Sequence, residues 1–182
     1  MIRGESNLTN LNQIILTEDR YFPVHKYGCG ICSLANLIYT KFGDLETAKN
    51  IYLGARTHPL VGKDESTDIL SFPFLLQELS NNKYSGICYL DTDTDYHLDE
   101  LRLNSASSRD LEFAYEFSMK NKLLIFTKDY CVPYPNIIFL TDGNSGHALV
   151  CKEHSVFINN GHIEYSLPQG FEIDGLFQAF KK

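Results

Sequence analysis

The chain has 182 residues, of which 43% are hydrophobic and 21% charged, a balance typical of one globular domain. Its formal net charge of −7 disfavours binding to nucleic acids or to an anionic membrane, because both need a basic surface. No run of about 18 apolar residues predicts a membrane span, and the polar first residues lack the apolar core of a signal peptide. We therefore expect a single domain over residues 1–182, located in the cytoplasm.

The first half of the chain is predicted to be mainly helical. Asp44 is placed to cap one helix, and Pro73 is suited to the first position of another. The predicted elements are a short strand over 14–16, helices over 29–39, 45–53 and 73–79, a loop over 54–66 and a strand over 84–90.

The second half is predicted to be mainly antiparallel strands. One helix over 111–120 precedes them, with Ser107 or Ser108 as its N-cap. The predicted strands cover 123–126, 137–140, 147–151, 155–158 and 162–165. Helices followed by such strands indicate an α+β layout in which the helices pack on a sheet.

The functional signal is strongest where the first helix begins. Cys29 lies between two glycines at the start of an apolar helical pattern. The glycines allow a tight backbone turn and leave little bulk around the sulfur. A thiol at a helix N-terminus feels the positive end of the helix dipole, which favours the nucleophilic thiolate. Cys29 is therefore a candidate nucleophile.

A second segment supplies the partners that such a nucleophile needs. His147 opens an apolar strand, and the returning strand runs into Asn159, Asn160 and Gly161. A hairpin of this kind brings the histidine near the asparagines, because opposed strand residues are about 5 Å apart. Cysteine, then histidine, then asparagine is the chain order of many thiol hydrolases. In these enzymes the histidine takes the thiol proton and the amide orients the imidazole.

These two segments resemble the papain-like bacterial cysteine peptidases, specifically the double-glycine-leader peptidase-like group. Members of that group open the nucleophile helix with a run like GCGPTSLAMVL, and this chain reads GCGICSLANLI. At the level of pattern the resemblance covers roughly residues 20–165, and only the cysteine and histidine segments are specific.

The resemblance implies a papain-like α+β fold, with the nucleophile helix packed on the antiparallel sheet. It implies Cys29 as nucleophile, His147 as general base and Asn160 as the orienting residue. Asn159 is the alternative, because a slip of one residue in strand register changes the face. The implied activity is hydrolysis of a peptide amide, or transfer of its acyl group, in a peptide or protein substrate without a cofactor or metal.

One departure from the family pattern concerns the oxyanion hole. The family has a glutamine about six residues before the cysteine, and loss of one such donor typically costs about 10²–10³ in rate. Pro23 stands there in this chain, and His25 or a backbone N–H is the candidate substitute. The departure keeps a second hypothesis open, a binding module of the same fold that recognises a peptide without cleaving it.

A third hypothesis is a thioredoxin-like thiol oxidoreductase, because Cys29 and Cys32 also form a C-x-x-C motif. The motif arises because Ile31 and Cys32 stand where the peptidase family has proline and threonine. The polar, aromatic stretch before the motif argues against it, because thioredoxins have a buried strand there. A zinc site is disfavoured, since no second C-x-x-C or H-x₃-H pair occurs.

Two further groups of residues have simpler explanations. The odd number of cysteines, five, argues against a disulfide framework, and Cys88 and Cys151 are predicted to be buried core thiols. The acidic segment that begins at Asp91 resembles the start of a calcium loop, but Tyr96 and Arg102 occupy positions where that loop needs Gly and Glu. We interpret it as a solvated acidic loop.

Overall fold

The structure, a computed structural model, describes residues 21–25, 28–91, 108–129 and 131–182. The strand predicted at 14–16 and most of the acidic segment lie outside the described residues. The helices are α1 (Cys29–Phe42), α2 (Leu45–Gly54), α3 (Phe72–Leu79) and α4 (Ser108–Lys120), with short 3₁₀ helices at Ala55–Thr57 and Ile69–Ser71. The strands are β1 (Tyr84–Leu90), β2 (Leu124–Phe126), β3 (Asn136–Thr141), β4 (Gly146–Glu153), β5 (Val156–Asn159), β6 (His162–Glu164) and β7 (Glu172–Lys181).

The helices begin and end where local signals predict. The side chain of Asp44 accepts a hydrogen bond from the Thr47 N–H at 3.2 Å and caps α2. Gly43, with φ of 66°, ends α1 in the left-handed conformation. Pro73 lies in the first turn of α3, where its missing N–H costs nothing. None of the helices in the described ranges is long and apolar enough to cross a membrane.

The strands of the described residues form one seven-stranded sheet of order β2-β1-β7-β3-β4-β5-β6. Every neighbouring pair is antiparallel except β1 and β2, which are parallel. The α+β prediction is confirmed, and the consecutive antiparallel strands β3 to β6 lie where the alternating pattern placed them. The sheet also includes β1, from the helical half of the chain, because β7 joins it to β3.

Strand β7 was not predicted from the sequence, although it lies near the middle of the sheet. Asp174 and Gly175 read as a turn signal in isolation. Gly175 is instead a strand residue at a close approach, because a Cβ there would lie 2.7 Å from the carbonyl oxygen of Tyr89. Two residues on, the fully buried ring of Phe177 fills the space left by Gly86.

The main core lies between the helices and one face of the sheet. Its fully buried side chains include Leu34 and Ile38 of α1 and Phe177 of β7. Burial of each such side chain contributes about 1.5–3 kcal/mol, so α1 is firmly anchored on the sheet. A smaller cluster around Leu149 covers the other face. Cys88 belongs to the main core and Cys151 to the smaller cluster, which confirms both as buried thiols.

Candidate active site

Cys29 is the first residue of α1, and Gly28 is the N-cap, which has no side chain to cap the helix. Gly28 has φ of −80°, a value open to any residue, so a tight turn is not the reason for glycine here. Space is the reason. A Cβ at Gly28 would lie 2.8 Å from the carbonyl oxygen of His25 and 3.2 Å from Oε2 of Glu65.

The second glycine, Gly30, also makes room for a neighbouring segment. A Cβ at Gly30 would collide with the hydroxyl of Thr67. Thr67 forms a β-bridge with Val61, so the chain from 58 to 68 folds back on itself. This loop, which also contains Glu65, packs across the first turn of α1. Gly28 and Gly30 therefore leave the space in which this loop packs beside Cys29.

The packing of α1 on β4 brings the thiol of Cys29 to the imidazole of His147, the second residue of β4. The two side chains are close enough that each shifts the pKa of the other. Burial alone would raise the pKa of Cys29, but the bond to His147, the N–H groups of Ala148 and Gly30 and the imidazolium charge outweigh it. The pKa of Cys29 is therefore lowered from its ordinary value of 9.0, which favours the thiolate.

The imidazole of His147 shifts in the complementary direction. The hydrogen bond to Cys29 raises the pKa of His147 above its ordinary value of 6.5, although burial opposes the rise. The bond to Asn159 and the negative charges of Cys29 and Glu164 add to it. Both shifts favour a thiolate–imidazolium pair. The ring of Phe171 lies beside the imidazole, with 6.3 Å between the ring centroids.

Asn159 is the residue that orients the imidazole. Nε2 of His147 lies 2.6 Å from Oδ1 of Asn159. Because an amide oxygen only accepts, Nε2 donates this hydrogen bond and Nδ1 is left for the sulfur of Cys29. The sequence prediction assigned the contact with the imidazole to Asn160 and kept Asn159 as the alternative. In the structure, Asn159 makes this contact.

Asn160 is instead part of the turn between β5 and β6. Asn159 pairs with His162 across the hairpin, so Asn160 and Gly161 are the two turn residues. Their φ values of 51° and 88° are those of a type I′ turn, for which Asn-Gly is the preferred sequence. Oδ1 of Asn160 is buried with no hydrogen-bond partner in the described part of the chain. The Asn-Gly pair is thus the sequence signal that leaves Asn159 as the last strand residue.

Sequence reasoning missed one polar residue of the site. Nδ2 of Asn159 donates a hydrogen bond to Oε2 of Glu164 at 3.0 Å. In the hairpin, Asn159 pairs with His162, and Glu164 lies two residues farther along the same face. Once the turn is assigned, this register predicts the contact.

Cys29 and His147 open onto a cleft of about 510 Å³ between the 58–68 loop, the 3₁₀ helix before α3 and the ends of β3 and β4. Apolar walls come from Leu60, Ile69, Phe72 and Phe139. Three carboxylates also line it, those of Asp64, Asp68 and Asp174. Burial raises the pKa of Asp68 to about 6, although the Leu70 N–H that it accepts opposes the rise. The volume of the cleft lies within the range of small-ligand pockets.

Of the two predicted substitutes for the family's glutamine, the side chain of His25 lies away from the cleft. The carbonyl of Pro23 accepts a hydrogen bond from the Tyr52 hydroxyl at 2.7 Å, and proline has no N–H to offer. Nδ1 of His25 lies 2.8 Å from Oε1 of Glu65, and His25 is not among the described residues that line the cleft. The predicted substitute that remains is a backbone N–H, and the first turn of a helix such as α1 offers groups of this kind.

Cys32 does not face the cleft. Its thiol is buried and donates to the carbonyl of Phe22 at 2.8 Å, while Nδ2 of Asn36 donates to its sulfur at 3.3 Å. Burial raises the pKa of Cys32 to about 12, and the charge of Cys29 adds to the rise. A buried, protonated thiol is a poor partner for disulfide exchange.

No group of His, Cys, Asp or Glu in the described ranges is arranged to hold a metal ion.

A scan of the chain against protein-family models found no match, and searches of curated proteins and of solved structures found none either. The resemblance to papain-like peptidases therefore stays a prediction from the sequence motifs. The fold is described as α+β, with a seven-stranded sheet and four α-helices in the described residues.

Proposed function

We propose that the protein is a cysteine hydrolase that acts on an amide bond of a peptide or protein substrate. The observation that carries the proposal is the chain of contacts from Cys29 through His147 to Asn159, at the edge of a cleft. A nucleophile, a base and a group that orients the base are the three parts that nucleophilic catalysis requires.

In the first half-reaction, the thiolate of Cys29 attacks the carbonyl carbon of the amide, and a C–S bond forms. The carbonyl oxygen takes the negative charge, which the N–H groups at the start of α1 stabilise. As the C–N bond breaks, imidazolium His147 gives its Nδ1 proton to the leaving amine. The products are a free amine, a thioester on Cys29 and a neutral imidazole.

In the second half-reaction, His147 takes a proton from water, and the oxygen of that water attacks the thioester carbon. The C–S bond breaks, the carboxylic acid leaves, and the proton on His147 restores the charged pair with the thiolate. An amine in place of water would give acyl or peptidyl transfer by the same steps. Asn159 keeps the proton on Nε2 throughout, so Nδ1 is the atom that exchanges protons with the substrate.

A second candidate, a peptide-binding module without turnover, rests on Pro23. The residue at the position of the family's glutamine supplies no donor, and its carbonyl is held by Tyr52. Loss of an oxyanion-hole donor typically lowers the rate by about 10²–10³. Such a protein would keep the cleft and the Cys29–His147 contact but release no product.

The proposal is tested by the pH dependence of iodoacetamide alkylation, read at each cysteine by peptide mass spectrometry. Because the thiolate exists above its pKa, a lowered pKa for Cys29 extends its reactivity to pH values well below 9.0. His147→Ala removes the imidazolium and is expected to move this onset upward. Cys32→Ser and the exposed-histidine variant His154→Ala serve as controls that leave the onset in place.

Turnover is then measured with a library of peptides that carry a fluorogenic amide leaving group, together with mass detection of an acyl adduct on Cys29. The rate is expected to rise as Cys29 ionises and to fall as pH passes the raised pKa of His147, because the leaving amine then lacks its proton donor. A Cys29 no more reactive than the exposed Cys131 would overturn the hydrolase proposal. If Cys29 is alkylated at low pH, but the protein binds peptides and forms neither product nor acyl adduct, the result would favour the binding module.

A further inference from the structure

The carboxylate of Glu164 stands directly behind the residue that orients the histidine. Glu164 lies at the end of β6, and its Oε2 is 3.0 Å from Nδ2 of Asn159. The opposite side of the same amide, Oδ1, is 2.6 Å from Nε2 of His147. The amide of Asn159 is thus held between a carboxylate and an imidazole.

The chemistry of these groups allows one arrangement of protons. An ionised carboxylate has no hydrogen to donate, so the amide must turn its NH₂ group toward Glu164. Oδ1 then faces His147 and accepts, which requires a proton on Nε2. In the neutral imidazole the lone pair is therefore on Nδ1, the nitrogen that faces the sulfur of Cys29. Without the carboxylate, either orientation of the amide could satisfy the histidine.

We propose that Glu164 is a positioning residue that sets the orientation of the Asn159 amide and, through it, the tautomer of His147. The inference rests on the proposed function, because the tautomer matters only if His147 accepts the thiol proton. Glu164 acts through Asn159 and does not itself reach the reacting atoms.

Charge is the second contribution of Glu164. The groups that favour the imidazolium form of His147 are the thiolate of Cys29 on α1, the amide of Asn159 on β5 and the carboxylate of Glu164 on β6. The carboxylates of Asp64, Asp68 and Asp174 line the same cleft from the loop side and from β7. Since those three are untouched by a change at β6, the loss of Glu164 isolates its own contribution.

The test compares Glu164→Ala and Glu164→Gln with a matched control, Glu153→Gln, at the exposed end of β4. The first readout is the alkylation rate of Cys29 at pH 6. Glu164→Ala is expected to lower it about tenfold, the lower end of the cost of removing a partner behind a metal-bound histidine. Glu164→Gln keeps an acceptor and loses the charge, so we expect a smaller loss. Glu153→Gln should leave the rate unchanged.

The second readout reports the tautomer itself, in the Cys29→Ala background, where the imidazole is neutral above its pKa. Long-range ¹H–¹⁵N spectra distinguish an Nε2 proton from an Nδ1 proton, and comparison with His147→Gln assigns the signal. We expect the Nε2–H form with Glu164 present and a mixture in Glu164→Ala. A pure Nε2–H form in both proteins would overturn the inference.

The two proposals fail in different ways. If Cys29 is not primed in the wild-type chain, the hydrolase proposal fails, while the tautomer spectra still report on Glu164. If Cys29 is primed and Glu164→Ala matches Glu153→Gln in alkylation rate and in tautomer, the hydrolase proposal stands and the role of Glu164 is wrong. Urea denaturation of each variant identifies any loss that comes from unfolding.

Discussion

Cys29 and Cys32 occupy the same first turn of α1, and their thiols behave in opposite ways. Both lie near the positive end of the helix dipole. The pKa of Cys29 is nevertheless lowered, whereas burial raises the pKa of Cys32 to about 12. Cys29 faces an imidazole and a cleft, and Cys32 faces the carbonyl of Phe22 in the core. The neighbours of each sulfur therefore decide its chemistry, and the helix dipole is a smaller effect.

The largest expected effect comes from removing each thiol in turn. Cys29→Ala should abolish hydrolysis, since loss of the nucleophile of a catalytic triad lowers the rate by about 10⁶. Cys32→Ala removes a buried thiol that touches no substrate, so the rate should stay within about threefold, with a stability cost of about 1 kcal/mol for the lost hydrogen bond. Both are measured as initial rates on the best fluorogenic peptide.

This comparison would break if Cys32→Ala were as inactive as Cys29→Ala while still folded by circular dichroism. That result would mean that the two thiols act together, as the oxidoreductase hypothesis requires. Equal and full activity in both variants would instead remove Cys29 from the mechanism.

The two adjacent asparagines give the next effect in size. Asn159→Ala leaves Nε2 of His147 without its acceptor, and we expect the turnover rate to fall about 10- to 100-fold, the cost of removing the partner of a metal-bound histidine. Asn160→Gly is the matched control, because Gly-Gly also forms a type I′ turn and Asn160 does not contact the imidazole.

The measurement is turnover rate together with the pH of half-maximal Cys29 alkylation, which should rise in Asn159→Ala only. A larger loss in Asn160→Gly than in Asn159→Ala, with both proteins folded, would return the orienting role to Asn160.

The smallest expected effect concerns the support beneath Cys32. The buried side chain of Asn36 accepts from the Phe22 N–H at 2.8 Å and donates to the Phe22 carbonyl at 3.0 Å, which ties the segment before Cys29 to α1. Asn36→Ala leaves the buried N–H of Phe22 without its acceptor, at a cost of about 1–3 kcal/mol in the free energy of unfolding. Urea denaturation measures it.

Asn50 is an exposed asparagine in α2, and Asn50→Ala is therefore the control for loss of an asparagine from a helix. Equal stability of the two variants would show that the contacts of Asn36 to Phe22 do not hold the segment.

The local features of this protein, its helix starts and its apolar patterns, can be predicted without knowledge of the fold. The cap at Asp44, the position of Pro73 in the first turn of α3, the apolar period of α1 and the alternation in β3 to β5 depend on residues a few positions apart. The sequence therefore predicts those elements closely. The pairing of Cys29 with His147 was predicted from a motif, and the structure brings the two side chains together.

The Asn159 register was open at the sequence level because the turn was not assigned, even though Asn160-Gly161 is a strong turn signal. Strand β7 was not predicted, because Asp174-Gly175 is a typical turn sequence. The close contact with Tyr89 on β1 explains why a glycine lies inside that strand. The contact between Glu164 and Asn159 could not be predicted until the register of the hairpin was known.

Capping, hydrophobic period and chain order are local or ordered properties, and from them the sequence predicts the α-helices, the strands other than β7, the α+β class and the candidate pair Cys29 and His147. The packing of the chain shows that Asn159 contacts the imidazole, that Glu164 lies behind it and that Cys32 is buried away from the cleft. The physical reason is that strand register and desolvation arise from residues far apart in the chain, and they act only after those residues have packed together.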